Sequence, residues 1–179
     1  MNDSDIGERM SDRYMTASDA SSSLTRAELA MMRAHEAFER WGYFLHKSVS
    51  GKALGRQDVA LLHSIRMRGG AQNLSELLLF LNRNDVSTIQ YSLRKIEQAG
   101  FIERITGSSK REAGYRLTET GLAATEAYAK LRNEILVELV GDVNGLMEAL
   151  NTAAAAFERL TGLYDQSTQT VLNRKILGN

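Results

Sequence analysis

A mainly α fold with one small β-hairpin is predicted by two features of this 179-residue chain. Apolar residues recur at helical spacing in long stretches on either side of the centre. Between them, from Phe101 to Leu117, the pattern changes to two short strand-like runs around a polar turn.

Taken in order, residues 1–23 are rich in Ser and Asp and lack sustained periodicity, which predicts a flexible N-terminal arm. Thr25 and Glu28 then have capping-box spacing, and Met31, Ala34, Phe38, Trp41 and Leu45 follow along one face, predicting a long first helix over residues 24–50. Gly42 in its interior costs about 1 kcal/mol against alanine, so packing must hold that helix together. A second helix is expected from Arg56 to Arg68, with Val59, Leu62 and Ile65 on one face and Gly69-Gly70 as its stop. Asn73 is placed to cap a third helix, with Glu76 three residues on and Leu74, Leu77, Leu78 and Leu81 facing inward. The turn is Asn82-Arg83-Asn84. The fourth helix starts near Asp85, and its apolar positions Val86, Ile89, Leu93 and Ile96 span a sector of about 80° at 100° per residue. Those four are expected to face the core.

Gly100 ends that helix. Phe101 to Thr106 reads as a strand, residues 107–112 as a polar turn and Gly114 to Leu117 as the returning strand. With Thr118 as cap, helical patterning continues through Val140. It resumes at Asp142 with Val143, Leu146, Met147, Leu150, Ala154, Phe157, Leu160 and Tyr164.

Composition removes several function classes. There is no cysteine, so disulfides, thiolate zinc sites and thiol redox sensing are excluded. No apolar run approaches the roughly 20 residues a bilayer span needs, and no signal sequence is visible, so a soluble cytoplasmic protein without membrane partners is expected. The three histidines are His35, His46 and His63; the first two stand ~16 Å apart along one helix, too far to share a metal. No phosphate loop, nucleophile elbow or paired-carboxylate motif occurs, so neither an enzyme nor a cofactor is expected.

Charge is distributed unevenly. Residues 51–116 carry 11 basic and 6 acidic side chains, a net +5, while both flanks are acidic and bring the whole chain to zero. Zero net charge argues against a broad nucleic-acid coat, but a confined positive patch fits site-specific binding.

The third and fourth helices, joined by a short turn, form a helix-turn-helix, and the hairpin adds a wing, so residues 51–121 read as a winged helix-turn-helix DNA-binding domain. On the fourth helix, opposite the apolar sector, lie Ser87, Thr88, Tyr91, Arg94, Lys95 and Gln98, with no carboxylate among them. Such a face suits the major groove of double-stranded DNA. Lys110 and Arg111 at the hairpin tip suit phosphates and a narrow minor groove. A merely solvated helix face and an ordinary charged turn are the competing readings.

The order of elements, together with Leu54-Gly-Arg-Gln57, Glu97-Gln-Ala-Gly-Phe-Ile-Glu-Arg104 and Leu117-Thr-Glu-Thr-Gly121, resembles the MarR family of winged-helix transcription regulators. The family's Asp-x-Arg wing motif falls on Ser109-Lys110-Arg111, keeping the Arg and losing the Asp that would orient it. The resemblance implies a homodimer built from residues 24–50 and the C-terminal dimerisation helices over 122–179. The excess apolar surface of the last helix and its small-residue run Ala153 to Ala156 point the same way. A two-fold dimer should bind an inverted repeat with half-sites ~34 Å apart. The resemblance also implies a small-molecule effector held between the DNA-binding lobe and the dimer helices, with Phe38, Arg40, Trp41 and Phe44, joined by Tyr43 and His46, as the lining. Core or dimer packing is the other account of those aromatics. A winged-helix dimer that binds protein rather than specific DNA is the alternative function.

Overall fold

The computed structural model describes Met15 and residues 17–106 and 114–176. They divide into two compact units, one ending at Ala129 and the other starting at Lys130.

The first unit opens with α1, Asp19–Ser50. Its cap is Ser18, whose side chain accepts from the Ser21 N–H at 3.2 Å, and Asp19 sits in the first turn where the helix dipole favours an acid. The helix therefore starts before Thr25, and residues 19–23 are helical rather than part of an arm; residues 1–14 lie outside the described residues. Thr25 caps nothing. Its hydroxyl donates to the Met15 carbonyl at 2.8 Å, inside the second turn. Ser and Asp compete with helix in an isolated reading, yet they are also the best caps, and here the second role wins.

Helix α2, Arg56–Arg68, has the expected bounds, and its start is secured by Asp58, which accepts from the Gly55 N–H at 2.9 Å. Helix α3, Leu74–Phe80, has the reciprocal box that its sequence calls for: Asn73 Oδ1 accepts from the Glu76 N–H at 3.0 Å, and Glu76 Oε2 from the Asn73 N–H at 2.9 Å. Asn82 takes a left-handed conformation, φ 49°, and turns the chain into α4, Val86–Gln98.

Strands β1, Ile102–Ile105, and β2, Gly114–Leu117, pair antiparallel with Ile102 opposite Leu117. The sequence reading missed a third edge: Gln72 bridges Tyr115 through backbone bonds of 2.8 and 2.9 Å. A Cβ on Gly114 would lie 2.6 Å from the Gln72 carbonyl oxygen, so glycine is what lets this segment approach.

Helix α5, Glu119–Arg132, begins at Thr118, whose Oγ1 accepts from the Gly121 N–H at 3.0 Å and donates to the Gly100 carbonyl at 2.7 Å. One core joins these elements, with Leu62, Ile65, Leu77, Leu93, Ile96 and Phe101 almost fully shielded from water. Of α1, only Gly42, Leu45 and His46 are buried, and Phe38 and Phe44 are exposed.

The second unit continues through a π-helical turn, Asn133–Val137, into α6, Glu138–Gly141, and then α7, Leu146–Ile176. The expected break after Val140 is present, but the helix resumes at Leu146 rather than Asp142, after Gly145 at φ 73°. Val143, Met147, Leu150, Phe157, Leu163 and Tyr164 are all exposed.

Candidate nucleic-acid interface

Helix α4 is strongly two-faced. Ile89, Ser92, Leu93 and Ile96 are buried, while Ser87, Gln90, Tyr91, Arg94 and Gln98 are exposed and Thr88 and Lys95 are half-buried. Val86 departs from expectation: it is 44% exposed, because the core meets α4 only from Ile89 onward.

Several contacts fix α4 at its ends and along its flank. Before its first turn, Arg83 Nε donates to Asp85 at 2.6 Å and Arg83 Nη2 to the second carboxylate oxygen. That hydrogen bond holds the Asp85 carboxyl at about 2 and raises the Arg83 guanidinium further above its ordinary value. At the other end, Lys52 Nζ donates to the Ala99 carbonyl at 2.5 Å and stands 5.2 Å from the Phe101 ring centroid. Along the flank, Lys95 Nζ donates to Asp58 of α2, and this hydrogen bond raises the lysine above its usual range.

The predicted cations therefore differ in availability. Arg94 is exposed and meets no carboxylate among the described residues. Lys95 is already engaged. Lys110 and Arg111 lie outside the described residues, as does Ser109, but the strands leading to them are in place. On those strands Arg116 Nε donates to Glu103 opposite at 2.6 Å, and Arg104 is exposed.

The predicted effector-lining residues are not brought together. Trp41 turns inward, edge-on to Tyr128 with centroids 6.0 Å apart, whereas Phe38, Arg40 and Phe44 are exposed and Phe44 stacks edge-on with Tyr43 at 5.2 Å. His46 is fully buried against Phe101 and His63, at 5.3 and 6.3 Å, and His63 lies 4.0 Å from Tyr128. This cluster and the Asp58–Lys95 pair were missed in the sequence. The signal for the first was His46 beside Leu45 at the edge of the apolar stripe; for the second it was Asp58 three residues after Gly55, the spacing of a cap.

Among the described residues, no group of three His, Asp or Glu side chains is placed to hold a metal, and no helix is long and apolar enough to cross a membrane.

Residues 54–121 match the model of a winged helix DNA-binding domain. A search of the curated proteins finds no match to the chain. Among solved structures, a MarR family transcription regulator superposes with a TM-score of 0.62 at 20% identity, covering 82% of this chain and 95% of its own. The Staphylococcus aureus MepR–DNA complex gives 0.58 at 18% identity, covering 75% and 94%. The Mycobacterium tuberculosis regulator MosR in complex with DNA gives 0.52 at 19%, covering 73% and 95%. Residues 54–121 thus resemble a winged helix DNA-binding domain, and the chain shares the fold of a MarR family transcription regulator.

Proposed function

We propose that the protein is a transcription regulator that binds double-stranded DNA sequence-specifically, as a homodimer on an inverted repeat. The observation that carries this is the outer face of α4, where Tyr91 and Arg94 project from a helix whose inner face is locked into the core. In this reading α4 enters the major groove, where Arg94 pairs with a guanine edge and Ser87, Thr88 and Tyr91 reach bases or phosphates. Lys110 and Arg111 carry the wing to phosphates and the adjacent minor groove. The MepR and MosR structures superposed above were solved with DNA, which supports the assignment. The homodimer is supported by the exposed apolar residues of α1 and α7, and we assign Phe38 and Phe44 to that face rather than to an effector pocket.

One observation favours protein binding instead: Met67, Leu79 and Phe80 are exposed on the winged-helix lobe, at 70, 85 and 44%. Salt separates the readings, because released counterions make DNA affinity fall steeply as salt rises. Binding sites selected from a random duplex pool should converge on an inverted repeat with a steep salt slope. Arg94→Ala should relax preference at one position per half-site by about 1–3 kcal/mol, and Lys110→Ala should weaken all sequences alike and lower the slope by about one unit. No enrichment from a folded dimer would leave the protein-binding reading standing.

A further inference from the structure

We infer that Lys95 is a positioning residue, which, paired with Asp58, sets the rotation of α4 so that Tyr91 and Arg94 face outward, and which makes no phosphate contact. The role rests on the DNA-binding reading above; the pairing itself does not.

Three observations carry it. Asp58 is 3% exposed, so its charge is tolerated only while it is paired. Its Oδ2 accepts from two donors on different elements, the Gly55 N–H at the start of α2 and Lys95 Nζ on α4, so one carboxylate ties the entry of one helix to the flank of the other. Swinging Lys95 out to a phosphate would leave that buried carboxylate with the Gly55 N–H alone. Space is reserved for the pair as well: a Cβ on Gly55 would lie 3.0 Å from Asp58 Oδ2 and 3.5 Å from Lys95 Nζ. Finally, Lys95 Nζ stands 5.7 Å from the ring centroid of Tyr91, one turn earlier on the same helix. Its cation therefore also steadies an aromatic side chain on the outer face.

A phosphate ligand and a positioning residue leave different marks. Losing a phosphate contact weakens all duplexes alike and lowers the salt slope by about 0.9. Losing a positioning residue weakens the preferred site while random duplex and slope stay unchanged. The experiment measures the full-length protein, Lys95→Met, Asp58→Asn and their double variant on the selected site and on random duplex across salt. It also measures amide hydrogen exchange over residues 86–98 in the free proteins. Each single variant is expected to lose roughly tenfold or more on the selected site alone, with the double variant well short of the product of the two losses, because both remove the Asp58–Lys95 pair. Exchange over α4 should be faster in both. Lys95→Arg, which keeps the pair, should restore preference at unchanged slope, and serves if Asp58→Asn fails to fold. A lower slope in Lys95→Met, or additive losses in the double variant, would overturn the inference. Should the wild-type protein prefer no duplex, the DNA-binding reading falls on its own. Exchange then decides the pairing: acceleration in both variants sustains it, and unchanged exchange overturns it.

Discussion

Burial alters the chemistry of His46 and His63. Both ring nitrogens of His46 and Nε2 of His63 are buried without a hydrogen-bond partner. Burial lowers the His46 value, and burial followed by the charge of His46 lowers His63 to about 4. The groups against the pair are the phenol of Tyr128, on His63, and the Phe101 ring with Lys52 beside it, on His46. None is a carboxylate that would welcome a proton. For His63 the unfolded chain takes up a proton near 6.5 and the folded chain does not, so its contribution is complete above about 6.5 and is lost as pH falls towards about 4. That removes up to about 1.4 kcal/mol per pH unit in the window, and His46, lowered by burial, acts in the same direction. Thermal denaturation across the window should show the decline, and His63→Phe should flatten part of it; an identical profile would mean that the pair opens to water before it titrates.

At the scale of elements, close approach explains the motif at the start of α5. A Cβ on Gly121 would fall 2.0 Å from the Phe101 carbonyl oxygen, the point at which the chain leaves α4 for β1. Thr118 ties the same place from both sides, through its backbone N–H to the Phe101 carbonyl at 3.0 Å and its hydroxyl to the Gly100 carbonyl. Gly121→Ala should therefore cost at least about 2 kcal/mol, read from the midpoint of urea denaturation, since a backbone oxygen cannot step aside as a flexible side chain can. The bounds of α2 and β2 and the Asn73 cap of α3 were legible because glycine, Asn and Glu act over three or four residues. The start of α1 and the bridge from Gln72 to Tyr115 were not, because one depends on a choice between two roles of Ser and the other joins segments far apart in sequence.

At the scale of the whole molecule, exposed apolar side chains on α1 and α7 stand out among the described residues. Phe38 and Phe44 on α1, and Met147, Leu150 and Leu163 on α7, are each more than two-fifths exposed. A single chain gains nothing by holding such residues on helices in water, whereas a second copy that covers them does. Sedimentation equilibrium should give a dimer for the wild-type chain. Leu150→Glu with Phe157→Glu should shift it to monomer and abolish preference for an inverted repeat over a single half-site. A monomeric wild type would remove the two-fold operator from the proposal.

The local pattern of residues was enough to set element order, helix faces and the position of the basic hairpin, because caps, glycine stops and hydrophobic periodicity act within a few residues. It also placed Arg94 on the outer face of α4. Only the tertiary structure decided that two of the lysines are spent within the protein: Lys52 on the Ala99 carbonyl and Lys95 on Asp58. Both pairs join residues at least 37 positions apart, and no periodicity records which distant carboxylate or carbonyl a lysine will meet. Charge is written in the sequence, but its availability is set by packing.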